Sequence, residues 1–251
     1  MKLLLINGNT NAAMTARVVD HARAAGFAAV GATARFGARY IASRVAAAIA
    51  QHAVLDALAE YGAGMDGVII ACFGDPGLEA ARELSPVPVV GMAEASLLIG
   101  FRQASRIAFI TGGAAWVPML EEFCLLRGYG RDQVMVRAVA PDGGMIAADP
   151  QGALALLAAA ARDAAADGAG AVVLGGVGLA GLAPAVSAAS GVAVLDSLHC
   201  ALLAVREAVA APARVATPSE GLSPALAAAL AGRAGLEVST HRNPHRADHL
   251  P

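Results

Sequence analysis

The sequence predicts an α/β protein built as two similar lobes, and three observations predict it. Eight short apolar runs alternate with alanine-rich helical stretches, the pattern of parallel sheets covered by helices on both faces. Two separate blocks of sequence repeat at a common offset of 104 residues. A chain of 251 residues with 57% hydrophobic content and 15% charge can bury a substantial core, as one large domain or two small ones, and is expected to be globular. The predicted architecture is a pair of Rossmann-like lobes with parallel sheets, related by a pseudo-twofold internal duplication. Ligands of such sheets collect at the carboxyl ends of the strands, which places the active site in the cleft between the lobes.

The apolar runs lie at residues 3–6, 68–71, 87–90, 107–110, 134–139, 171–174, 192–195 and 214–216. The start, MKLLLINGN, has four apolar residues after its lysine before polar Asn7, too few for a signal-peptide core, so the expected location is cytoplasmic. Residues 168–195 carry no charge over 28 positions, on paper a bilayer span. Their glycines and Pro184 break them instead into strand, turn, helix and strand.

The repeat sets Ile6-Asn7-Gly8-Asn9 on Ile110-Thr111-Gly112-Gly113, and Cys72 to Leu78 on Gly176 to Leu182. One residue further out of register, VPVVGMAEA (87–95) falls on VAVLDSLHC (192–200), pairing Glu94 with His199 and Ala95 with Cys200. A formal charge of -2, with no long run of Lys or Arg, gives no electrostatic footprint for nucleic acid or an anionic membrane, so the expected partner is a small molecule. Oligomeric state is left open, a homo-oligomer included. The three cysteines, Cys72, Cys124 and Cys200, have no metal-ligand or redox spacing and fit free thiols in a reducing compartment. No metal site is expected; the three histidines of the tail, His241, His245 and His249, are read as part of a loose end of chain.

Cys72 ends a buried strand directly before a glycine turn and a helix. A thiol there is a competent base near neutral pH if the helix N-terminus lowers its pKa. Asp75 is expected to cap the following helix and Pro76 to occupy its first turn, with the amides of Phe73 and Gly74 facing the cleft as donors to an enolate or carboxylate oxygen. The opposing reading of Cys72 is a small buried hydrophobe. Asn7, Asn9 and Thr10 end the first strand; they are helix-capping types and also candidate ligand contacts, with Thr111, Gly112 and Gly113 as their counterparts. Tyr40, Ser43 and Arg44 either border the opening or belong to a solvated helix, and Trp116 either lines an apolar pocket or anchors a helix. Glu94 is read as a second support for Cys72 or as an ordinary N-terminal helix charge, and Cys124 as core.

Through INGNTNAAMT (6–15), ACFGDPGLEAARE (71–83), VVGMAEAS (89–96) and LGGVGLAGLA (174–183), the chain resembles the aspartate/glutamate/hydantoin racemase superfamily, nearest its hydantoin racemase branch. The resemblance implies two α/β lobes, no cofactor, and proton transfer at a carbon next to a carbonyl or carboxylate. It implies lobe 1 as residues 1–96, completed by 211–251, and lobe 2 as 97–210. It also implies that the loop at Asn7, Asn9 and Thr10 touches substrate; the paired turns, Phe73-Gly74 and Gly176-Val177-Gly178, are expected from their backbone N–H groups to bind the two ends of the same ligand.

The resemblance departs at one position. The second cysteine that such racemases set opposite the first is Gly176 here. Inversion needs deprotonation on one face and reprotonation on the other, so three readings stand: His199 or Cys200 supplies the second group; Cys72 works alone, as in a single-cysteine decarboxylase of the arylmalonate decarboxylase type; or the protein binds a ligand without turning it over.

Overall fold

The computed structural model describes residues 1–139, 143–210 and 217–232. In chain order the elements are β1 (Lys2–Asn7), α1 (Ala12–Ala24), β2 (Ala28–Thr33), α2 (Arg44–Tyr61), β3 (Gly67–Ile70), α3 (Leu78–Leu84), β4 (Val89–Gly91), α4 (Met92–Gln103), β5 (Ile107–Gly112) and α5 (Trp116–Leu126). There follow β6 (Val134–Val139), α6 (Gly143–Ala148), α7 (Pro150–Ala166), β7 (Ala171–Gly175), α8 (Ala183–Ser190), β8 (Val194–Asp196), α9 (Ser197–Glu207) and α10 (Pro224–Leu230). A single 3-10 turn, Val177–Leu179, sits between β7 and α8.

The strands form two four-stranded parallel sheets, ordered β2-β1-β3-β4 and β6-β5-β7-β8. β1, β3, β5 and β7 are buried at nearly every position, as expected of strands covered on both faces. The duplication is written in the strand register. Leu3 pairs with Gly67 and Ile107 pairs with Ala171, both partners displaced by 104 residues. In the outer pairs, Val68 faces Val89 and Val172 faces Val194, so the fourth strand is displaced by 105. The one-residue slip seen between the sequence blocks is therefore an extra residue ahead of β8.

The lobes exchange helices. α4 follows the last strand of the first sheet yet packs on β7 and β8 of the second, whereas α9 follows β8 and packs on β3 and β4. α4 and α9 also pack on each other at the centre of the molecule. Residue 96 thus falls inside a helix shared between the halves. On the outside of the first sheet α10 packs against α2. The expected strand at 214–216 and the histidine tail lie outside the described residues.

β2 is an element the apolar runs did not announce. Its sequence, AAVGAT, is poor in β-branched and aromatic residues. It becomes a strand because β1 offers it six consecutive register partners and because Gly31 lets α1 lie close. A Cβ on Gly31 would stand 2.6 Å from Thr15 Cγ2 and 2.7 Å from Val19 Cγ2. Gly31→Ala is therefore expected to cost about 1–3 kcal/mol, as for other overpacked cores, read as a lower urea midpoint. An unchanged midpoint would show that α1 has room to retreat.

Candidate active site

The loops that follow the first and third strands of each sheet meet across the interface of the two sheets. They enclose a cleft of ≈ 440 Å³ of empty volume, counting the part open to solvent. Asn9 and Met14 line it from the β1–α1 region, Tyr40 and Ile41 from the segment before α2, and Ala71–Phe73 from the end of β3. The second lobe contributes Thr111, Gly112, Trp116 and the run Gly175 to Leu179.

The floor is made by two aromatic rings, each seated on a glycine of the opposite lobe. Phe73 lies over Gly175, where a Cβ would come within 2.2 Å of its ring, and packs edge-on against Phe109 at 4.9 Å between centroids. Trp116 lies against Gly74, where a Cβ would stand 2.7 Å from Trp116 Cζ3. Tyr40 adds a hydrogen bond across the interface, its hydroxyl donating to the Gly112 carbonyl at 3.1 Å. Arg17 donates from α1 to the Gly178 carbonyl at 3.3 Å.

Asn9 is fixed by an asparagine network. Asn7 Nδ2 donates to Asn9 Oδ1 at 2.9 Å, to the Asn11 carbonyl and to Thr15 Oγ1, while its Oδ1 accepts from the Asn9 amide. Asn9 Oδ1 also accepts from the Asn11 amide. With its oxygen saturated in this way, Asn9 presents an N–H donor: Nδ2 reaches the Met14 sulfur at 3.7 Å, a weak acceptor. Thr10 is not part of the lining; its backbone amide is tied to the Ala38 carbonyl at 3.1 Å.

Cys72 is 8% exposed and borders both this cleft and a second cavity beyond Trp116. Burial, reinforced by the charge of Asp75, pushes its thiol up to about 12. This corrects the expectation of a thiol acidified by a helix N-terminus. The helix in question, α3, begins at Leu78 behind a Gly77 cap, too far along the chain to act on Cys72. Asp75 does not cap it either. Its carboxylate accepts instead from the first-turn amides of α4, Ala93 at 2.8 Å and Glu94 at 2.8 Å.

The remaining expected residues divide cleanly. Thr111, Gly112, Gly176, Val177 and Gly178 line the cleft with Asn9, Cys72 and Phe73, whereas Gly74 borders the second cavity. Gly113 turns away, its amide donating to the Val139 carbonyl. His199 and Cys200 are not brought to the cleft. His199 is exposed on α9, and Cys200, 1% exposed, is buried in the helix that packs against α4. Cys200 interacts with Ser96 of α4, and burial first, then Asp196, pushes its thiol up to about 12. Ser43 caps α2 through Ala46, and Arg44 pairs with Glu122 across the lobes. Glu94 is held by Arg82, and Cys124 is buried. Met14, Ile41 and Leu179 line the cleft without any sequence signal, because each reads as an ordinary core residue.

Among the described residues no group of three His, Cys, Asp or Glu side chains is placed to hold a metal ion, and no helix is long and apolar enough to cross a membrane. With Cys72 so buried, its alkylation by iodoacetamide is expected to rise roughly tenfold per pH unit from 7 to 10, following the thiolate fraction. A plateau below pH 8 would mean an acidic thiol.

Comparison with known proteins adds the relatives. The family model described as Asp/Glu/hydantoin racemase matches residues 3–205. A hydantoin racemase from Rhizobium meliloti is 34% identical over 207 residues, covering 80% of this chain and 86% of that protein. The crystal structure of an allantoin racemase from Pseudomonas fluorescens matches with a TM-score of 0.77 at 30% identity, covering 82% of this chain and 90% of its own. An allantoin racemase from Klebsiella pneumoniae matches with a TM-score of 0.78 at 28% identity, over 90% of this chain and 98% of its own.

Proposed function

Because the chain belongs to the Asp/Glu/hydantoin racemase family, we propose that it is a cofactor-independent isomerase that moves the proton at the acidic carbon of a small hydantoin-like cyclic ureide, with Cys72 as the acid/base group. The observation that carries this reading is the lining of the cleft. Among the described residues, Cys72 and Tyr40 are the titratable side chains there, and the Tyr40 hydroxyl is committed to the Gly112 carbonyl. The substrate class follows from the relatives, named for hydantoin and allantoin. Both compounds carry an acidic ring carbon between a carbonyl and a ring nitrogen.

In this reading the Cys72 thiolate takes the ring proton and the electron pair moves onto the adjacent carbonyl oxygen, leaving a thiol and an enolate. Donors for that oxygen converge on the cleft: the Asn9 amide, the Thr111 hydroxyl, and the amides of Val177 and Gly178, which open the 3-10 turn and have no acceptor within it. Return of the proton from Cys72 restores the starting configuration. Return to the opposite face inverts it, and there Gly176 has no side chain to give; water supplies that proton. The nearest atom to a Cβ on Gly176 would be Leu179 Cδ1 at 4.0 Å, so space for a molecule of water or for a larger substituent lies on that side.

Gly176 also favours a second reading, a single-thiol lyase in which loss of carbon dioxide from a malonate makes the enolate and Cys72 protonates one face. Restoring a thiol by Gly176→Cys has room but not backbone: φ is 118°, a region L residues occupy only under strain of about 1–3 kcal/mol. Reconstruction of a two-thiol site is therefore expected to come with lower stability.

Single enantiomers of 5-substituted hydantoins in deuterated water test both readings. Deuterium is expected at the ring carbon, and its uptake should outrun the loss of optical rotation, because exchange at the Cys72 face needs no second donor. Cys72→Ser is expected to slow uptake by about 10²–10⁴-fold, the usual worth of a positioned acid/base group, with Cys124→Ser as the unaffected control. Failure of any hydantoin to exchange, together with carbon dioxide release from a malonate, would replace the isomerase by the lyase.

A further inference from the structure

We propose that Asp75 is a positioning residue for Cys72: its buried carboxylate clamps the Cys72–Asp75 turn onto the first turn of α4, so that the thiol faces a carboxylate fixed on its own turn. The inference rests on the reading of Cys72 as the acid/base group.

Four features of the structure carry it. Asp75 is 4% exposed, and its two carboxylate oxygens are each taken by one amide of α4, Ala93 to Oδ1 and Glu94 to Oδ2. Its backbone is held at φ 48°, the one positive φ of a non-glycine residue among those described, with its amide donating to the Cys72 carbonyl at 3.1 Å. A non-glycine residue is kept in that conformation only where the surroundings over-determine it. The partner surface is cut to receive the carboxylate: a Cβ on Gly91 would lie 2.2 Å from Asp75 Oδ2.

The fourth feature is the contrast between the lobes. In the second lobe the register equivalent of Asp75 is Leu179 and that of Gly91 is Asp196. There the cap of α9 is supplied locally, Asp196 accepting from Leu198 and His199 and also from the Gly181 amide. Both helix N-termini thus receive a carboxylate, but from different loops. In the lobe that has the thiol, the carboxylate is moved from the end of the fourth strand to the thiol's own turn. A cap alone does not require that move, since Asp196 meets the same need without it.

The electrostatic consequence has a definite sign. Burial raises the Asp75 carboxyl to about 7, opposed by the Ala93 and Glu94 amides and by Arg127 and reinforced by the Glu94 charge. The other charged groups around it are Glu79 of α3, Glu122 of α5 and Arg44 of α2, which line the same cavity. Arg127 itself is shared with Glu79 and Glu94, and Glu94 with Arg82. Once ionised, Asp75 is the negative charge that adds to burial in raising the Cys72 thiol.

The test is site-resolved alkylation of the full chain by iodoacetamide, followed by mass spectrometry across pH 6–11. Asp75→Asn removes the charge and keeps a side chain tolerant of this φ; Asp75→Ser is a second neutral capping residue should Asn fail to fold, with thermal melts to establish that each variant is native. The Cys72 profile is expected to move to lower pH in both, raising its rate at pH 8 about tenfold, while Cys124 is unchanged. A Cys72 profile identical to wild type in a folded variant overturns the proposal and leaves Asp75 as a structural cap. Because alkylation needs no turnover, the two readings fail separately: absent hydantoin exchange with a shifted profile sinks the isomerase, and intact exchange with an unshifted profile sinks Asp75 alone.

Discussion

The cleft depends on two aromatic rings that each lie on a glycine of the opposite lobe. Phe73 on Gly175 and Trp116 on Gly74 bring the strand ends of the two sheets into van der Waals contact. Neither contact survives a side chain on its glycine. Removing either would part the walls that bring Cys72 opposite the Gly176–Gly178 turn. The contacts are dispersive and apolar, so they also keep water from the floor of the cleft, which is why the thiol there is hard to ionise.

Around that contact the lobes are tied by exchange. α4 and α9 leave their own sheets to cover the other one, so neither sheet has a complete apolar cover without the opposite half. Cys200 is a casualty of this arrangement. Its position after β8 suggested reach toward the cleft, but α9 turns under the first sheet, and the thiol ends in the α4–α9 contact beside Ser96. His199, one residue earlier on the same helix, faces outward.

The duplicated architecture carries an asymmetric site. Both lobes have the same strand order, register and glycine turn, yet only the first keeps a thiol at the turn, and only there does the helix-capping carboxylate stand on the thiol's own loop. The second lobe offers backbone amides in its place. A symmetric scaffold thus presents a thiol on one wall and backbone amides on the other, and the proton transfer proposed above makes use of that division.

The two parallel sheets, their duplication down to the one-residue slip before β8, the cleft between them and the presence in it of Asn9, Cys72, Phe73, Thr111 and Gly176–Gly178 could all be read from the chain. These are legible because apolar period, glycine turns and repeat offset are local properties, and ligand loops follow strand ends by rule. Tertiary structure alone decided the rest. β2 exists because β1 pairs with it, not because Ala and Gly favour extended chain. The pKa of Cys72 depends on how deeply the lobes bury it, and the role of Asp75 on a helix 17 residues further along that its carboxylate meets in space. The exclusion of His199 and Cys200 follows from the path of α9. Burial and long-range contact are sums over the whole fold, and no window of sequence contains them.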